Sequence, residues 1–170
     1  TAIGLSSILG LSSFSGIRQE LLFQDRSGQI RLAIWSETWE FLKDNPVFGT
    51  GLASYQDRIK PYHTTVNDEG IEIFHHPHNI FLTMWVNTGL LGMLGFIIII
   101  IALFKTGFSK IGNWKLEIGN SRPFITASVV VIITMGLVDS PYIKNDLAML
   151  FWLLPAMLVV AQQNEYKKDA

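Results

Sequence analysis

The 170-residue chain contains no cysteine. That excludes a disulfide framework and any zinc site built on thiolates. No HExxH spacing is present, no internal repeat and no low-complexity segment, and the first residues lack the basic n-region of a signal peptide. Charge of either sign is scarce. Thirteen Lys and Arg stand against 14 Asp and Glu, a formal net charge of −1, and no nucleic acid is expected among the partners.

What is abundant is apolar surface. Hydrophobic residues make up 49% of the chain, mean hydropathy is +0.32, and the distribution is uneven, unlike an ordinary soluble domain. Asn79 to Phe104 carries no charge and ends in FIIIIIALF. It exceeds the roughly 20 residues needed to cross about 30 Å of hydrocarbon. Two shorter uncharged runs follow, Pro123–Val138 and Leu147–Ala161; tilt or local thinning of the bilayer would let each span, and a buried hairpin of a soluble core is the alternative. The opening TAIGLSSILGLSSFSG is expected to be the end of a longer membrane helix. The expected order is therefore a helix end at 1–16, a polar loop at 17–78, a span at 79–104 and a loop at 105–122. A span at 123–139, a turn at 140–146, a span at 147–162 and a tail at 163–170 complete it.

Charge orients this arrangement. The 105–122 loop holds Lys105, Lys110, Lys115 and Arg122 against Glu117, whereas residues 17–78 carry nine carboxylates against six basic residues. Basic short loops stay in the cytoplasm, which puts the long loop outside. Within it, QIRLAIWSETWEFLKD (29–44) is expected to be a helix, ended by Asn45-Pro46. Trp35, Trp39 and Phe41 suit either the headgroup layer or packing on the loop. FGTG (48–51) is a turn whose glycines allow positive φ or close backbone approach, and 55–76 shows no regular period.

HHPH (75–78) first suggests a metal, with Asp68, Glu69, Glu72 and His63 near in sequence. Pro77 breaks the helix that would align His75 with His78, and no metal is expected. Proline suits a helix start, so His78 and Asn79 are expected in the first turn of the span, where free backbone N–H groups welcome an anion. Arg31 is a candidate for a second anion contact, its guanidinium able to grip phosphate oxygens two at a time, with a solvated surface arginine as the alternative.

In order, Arg31, Trp35, Pro46, Gly49, Gly51, His78, Asn79, Leu82, Gly89 and Gly92 reproduce a pattern. The chain from 26 to about 104 resembles the C-terminal half of the O-antigen ligase and polymerase superfamily. The resemblance implies an all-α, multi-pass transmembrane bundle of GT-C-like type with a long extracytoplasmic loop containing an amphipathic helix. It implies a metal-independent glycosyltransferase of the bacterial inner membrane, with no cofactor. Its partners would be an undecaprenyl-diphosphate-linked glycan donor, a lipid or glycan acceptor and membrane lipids. Family members are more than twice this length, so this stretch is not expected to act alone.

In that chemistry an acceptor hydroxyl attacks the anomeric carbon while charge builds on the departing diphosphate. Arg31 would stabilise the charge, supported by Arg26 or Arg58. His78 would act as base or donate to the diphosphate, and Asn79, Gly49 and Gly51 would line the substrate. The competing readings are a non-enzymatic membrane subunit or transporter segment, and a soluble metal-binding domain.

Overall fold

A computed structural model describes residues 18–19, 22–66, 68–109, 121–141 and 145–169. The expected helix end at 1–16, Lys110 and Lys115 lie outside these. Asp25 starts the main helix of the polar loop: its carboxylate accepts from the N–H groups of Ser27 and Gly28, both at 3.2 Å, satisfying two of the donors a helix start leaves unpaired. Helix α1 runs Arg26–Asp44, opening one turn earlier than the periodicity implies because Asp25 is the better cap. It stops at Asn45, whose N–H closes on the Phe41 carbonyl.

Ile34, Phe41 and Leu42 of α1 are buried, and Phe41 and Leu42 pack with Tyr55, Ile59 and Val86. The apolar stripe of α1 therefore faces the loop's own core, and of its three aromatics only Trp39 stays half exposed. Residues 55–76 hold more structure than their sequence announces. A single turn of helix, α2 (Tyr55–Arg58), precedes a 3₁₀ turn at Lys60–Tyr62. A two-residue hairpin follows, β1 (Thr65–Val66) antiparallel to β2 (Glu69–Gly70). Buried polar contacts fasten these pieces to α1. Glu37, 4% exposed, accepts from the Thr64 N–H at 2.8 Å and its hydroxyl at 2.7 Å. Thr38 and Tyr55 share a hydrogen bond at 2.7 Å; burial pushes the Tyr55 phenol well above its ordinary range, so it stays neutral.

Helix α3 (Ile80–Phe108, 29 residues) is kinked at Gly89 into two segments, and the first folds back toward the second, with the rings of Phe81 and Phe96 6.0 Å apart. It is the one described helix long and apolar enough to cross a membrane. Helix α4 (Arg122–Met135) returns alongside it and α5 (Asn145–Asp169) runs back again. Phe96, Ile100 and Leu103 of α3 meet Ile125, Val129 and Ile133 of α4 and Phe151 and Leu158 of α5. The outward faces are apolar as well: Ile98, Val131 and Met149 are all exposed, the reverse of a water-facing bundle. Arg122 starts α4 and donates to the carbonyls of Thr106 and Ser109, both at 2.6 Å, closing the C-terminal end of α3. The protein is mostly helical, as expected. Helix α4 covers 14 residues instead of the expected 123–139, because Gly136 ends it and residues 136–140 turn back over the start of α3.

Candidate functional site

Two junctions at α3 position the candidate residues, and both depend on backbone groups. The first is a break. Gly89 sits inside α3 at φ 72°, ψ −176°, which interrupts the helical ladder and frees polar groups on either side. The turn after α1 takes them up: Thr50 N–H donates to the Val86 carbonyl at 2.7 Å, and Leu90 N–H donates to the Val47 carbonyl at 2.9 Å. Trp85 Nε1 adds a bond to the Pro46 carbonyl at 2.7 Å. A Cβ on Gly89 would fall onto the Val47 carbonyl oxygen, and one on Gly49 (φ 64°) onto the Val86 carbonyl oxygen. The spacing of P-x-x-G-x-G and the distant glycine thus describes one docking joint.

The second is the 136–140 turn after α4, which draws Arg31, His78 and Asn79 together. Ile80 N–H donates to the Gly136 carbonyl at 2.6 Å. Asn79 Nδ2 donates to the Leu137 carbonyl at 2.9 Å, Arg31 Nε to the Val138 carbonyl at 3.1 Å, and Thr83 pairs with Ser140 at 2.6 Å. His78 Nδ1 lies 3.4 Å from Asp139 Oδ1. Arg31 and His78, 47 positions apart in sequence, thus touch consecutive residues. With ordinary backbone dimensions, that bounds their nitrogens to within roughly 13 Å of one another.

One expectation about the helix start is corrected. His78 is not in the first turn of α3; it stands before it at φ 48°, and Asn79 is the N-cap. Asn79 Oδ1 accepts from Phe81 and Leu82 N–H at 3.0 Å each and its carbonyl from Thr83 N–H at 2.8 Å. With Ile80 N–H on Gly136, the three donors that follow the cap, on Ile80, Phe81 and Leu82, are internally satisfied. An anion at this end is left to side chains.

Those side chains are Arg31 and His78. Arg31 spends Nη1 on Ser27 Oγ at 2.7 Å and Nε on Val138; its Nη2 edge is uncommitted among the described residues. Burial would raise the Asp139 carboxyl, but the Ser140 N–H and the neighbouring His78 and His76 outweigh it and hold the group below the usual carboxylate range. An ionised carboxylate only accepts, so Nδ1 of His78 is the donor of that pair. Asp139 is the residue that sequence reading missed. Its one signal was an acid placed directly after an apolar run.

The remaining site residues fall elsewhere. Arg26 is paired with Glu69 at 2.6 Å, both exposed. Arg58 is exposed on α2, with no hydrogen bond or ion pair to the 136–140 turn among the described residues. Gly49 packs on α3, and Gly51, at φ 82°, has open space around it. For a metal, the trio that converges is His76, His78 and Asp139, with ligand atoms within 4.8 Å of one another; His75 is not part of it. His76 Nδ1 already accepts from the His78 N–H at 3.3 Å.

An apolar helical bundle is topped by a folded polar loop, with an arginine, a histidine and an acid gathered at their junction. A family profile described as O-antigen ligase matches residues 2–97, and the chain belongs to this family of membrane proteins. No curated protein and no solved structure matches the chain. The matched segment stops short of the 136–140 turn, so Asp139 joins the site from beyond it.

Proposed function

We propose that this chain carries the catalytic end of a multi-pass glycosyltransferase on the outer face of the bacterial inner membrane. It transfers a glycan from an undecaprenyl-diphosphate carrier to an acceptor hydroxyl. The observation that carries the reading is the joint attachment of Arg31 and His78 to Val138 and Asp139. The free edge of Arg31 faces the diphosphate as the bond from its oxygen to the anomeric carbon breaks. The acceptor oxygen forms the new bond to that carbon, and its proton passes to His78 Nε2. Asp139 holds the imidazole in the tautomer this needs and stabilises the imidazolium that results. Undecaprenyl diphosphate departs. Arg26, paired with Glu69, and Arg58 lie outside this cluster and take no part in the step.

In the full-length enzyme, His78→Ala should lower transfer by about 10²- to 10³-fold, the usual loss of a well-placed donor or base. Asp139→Asn should also lower the rate and move the acidic limb of its pH profile to lower pH, since the imidazole that must be deprotonated to act as base loses the anion that favours its protonated form. His75→Ala should be mild. EDTA should leave transfer intact. The convergence of His76 with His78 and Asp139 gives a metal-dependent reading its only support; EDTA-sensitive activity with comparable losses at 76, 78 and 139 would establish that reading instead.

Sidedness has its own test. Cysteines placed at 57 and 113 of the full-length protein are probed with an impermeant thiol reagent in intact spheroplasts. Labelling at 57 alone is expected, and labelling at 113 alone would reverse the orientation.

A further inference from the structure

The HHPH stretch at 75–78 holds a feature that the proposed transfer does not use. His76 and His78 flank Pro77, whose side chain is fully buried and whose carbonyl accepts from Trp35 Nε1 at 2.9 Å. His78 takes φ 48°, and its ring lies against that of His76, centroids 4.4 Å apart. The Phe74 ring packs edge-on against His78, centroids 4.9 Å apart. Asp139 reaches this pair from the turn after α4. That turn is fastened by Ile80 N–H on the Gly136 carbonyl, by Asn79 on the Leu137 carbonyl and by Thr83 on Ser140. Both arms are thus held by bonds other than those the three side chains make.

One ligand atom from each of His76, His78 and Asp139 lies within 4.8 Å of the other two. His78 Nδ1 and Asp139 Oδ1, at 3.4 Å, already span the edge of a tetrahedron whose arms are about 2.0–2.1 Å, the bond lengths zinc makes to nitrogen and oxygen. Rotation of the half-buried His76 imidazole about its side-chain torsions closes the remaining gap. Two imidazoles and a carboxylate are the donor set of zinc and similar borderline ions, whereas magnesium and calcium ask for a shell of oxygens. Asp139 Oδ1 accepts from Ser140 N–H at 2.7 Å, an outer hydrogen bond of the kind that orients a metal-binding carboxylate. Asp139 is itself exposed, so an ion can enter from solvent and keep a water as its fourth ligand.

We infer that His76, His78 and Asp139 form a binding site for a divalent cation of the zinc class, and that filling it shuts off transfer. The site stands on its geometry; the block rests on the proposed role of His78 as base. Zinc takes a lone pair of His78 and leaves the ring unable to receive the proton of the acceptor hydroxyl. Bound at Nδ1, it leaves the ring's one proton on Nε2; bound at Nε2, it consumes that lone pair itself. Asp139 turns from the imidazole to the ion in the same event. The proposed step needs no metal, so the trio makes zinc an inhibitor and not a cofactor.

The test uses the full-length enzyme without an affinity tag, purified in detergent, stripped with EDTA and then freed of the chelator. Zinc is titrated against a competing fluorescent chelator, and transfer is assayed in parallel. Zinc should bind and lower transfer by about 10²-fold or more, the scale of a lost general base; EDTA should restore it, and magnesium should have no effect. His76→Ala should keep basal transfer, because His76 touches no reacting atom. Its zinc affinity should fall at least about 10- to 100-fold, the range for losing even a partner of a ligand. Asp139→Asn should weaken zinc binding too. Zinc binding that is absent in the wild type, or unchanged in both variants, overturns the site. Zinc held through His76 and Asp139 with transfer unaffected overturns the block. Transfer that occurs only with zinc bound overturns the block and the metal-free step together. An enzyme that holds zinc through His76 and Asp139 but transfers nothing with or without it keeps the site and removes the proposed function.

Discussion

Arg31→Ala is expected to remove glycan transfer almost completely while the full-length enzyme still inserts and accumulates. The loss should reach at least about 10²- to 10³-fold, the scale seen when a preorganised donor to developing charge is deleted. Arg31 lies on the part-exposed side of α1, away from the Phe41–Leu42 core, so truncation leaves the packing of the helix alone. What it removes is the guanidinium that bridges Ser27 Oγ and the Val138 carbonyl while keeping an edge open. Arg31→Lys should rescue poorly. An ammonium keeps the charge, but it cannot hold two fixed partners and still present a planar pair of donors to phosphate oxygens. Transfer is read from the change in acceptor mobility on a gel, with membrane levels measured in parallel. Near wild-type activity in the lysine variant would show that Arg31 acts only as a diffuse charge. Full activity in the alanine variant would remove it from the mechanism.

Gly89→Ala should be the most damaging single methyl in the protein. At φ 72°, ψ −176° the backbone occupies a region essentially reserved for glycine, where another residue costs about 1–3 kcal/mol. The added Cβ also falls on the Val47 carbonyl oxygen that accepts from Leu90 N–H. Relief requires withdrawing the 46–52 turn, which unpairs buried polar groups at about 1–3 kcal/mol each. The loss of folded protein should therefore be near complete for a marginally stable structure. Gly49→Ala should behave similarly, for the reciprocal reason. Gly95→Ala is the control: nothing lies within 4 Å of its Cβ position, and in a regular helix alanine is favoured over glycine by about 1 kcal/mol. Thermal unfolding in detergent distinguishes the outcomes. Should Gly89→Ala unfold at or above the wild-type temperature, α3 is continuous there and the joint does not exist.

Much of the architecture follows from local order in the chain. The uncharged run from Asn79 marks α3, and Asp25, Asn45 and Pro46 set the ends of α1 within one turn, since caps and proline act over a few bonds. The small elements between 55 and 70 had no such signal. A hairpin of two-residue strands has no period to detect, and Glu37, buried beneath Thr64, reads in sequence like any surface acid on a helix.

The chemistry divides in the same way. Composition and spacing alone mark the chain as apolar and helical, name Arg31 and His78 as candidates for an anion, and single out the glycines at 49 and 51 as special backbone, whereas Gly89 enters only through the resemblance to the family. Sequence did not determine what those glycines meet, because a close approach between positions 40 residues apart leaves no trace in either neighbourhood. Only the tertiary structure decided that the loop fills the break in α3, that Asn79 satisfies the helix start before any anion can, and that Asp139 partners His78. Each of these is set by how α4 returns antiparallel to α3. Burial of Ile125, Val129 and Ile133 against Phe96, Ile100 and Leu103 fixes that return, and with it carries residues 136–140 over the one place where the arginine and the histidine could be joined.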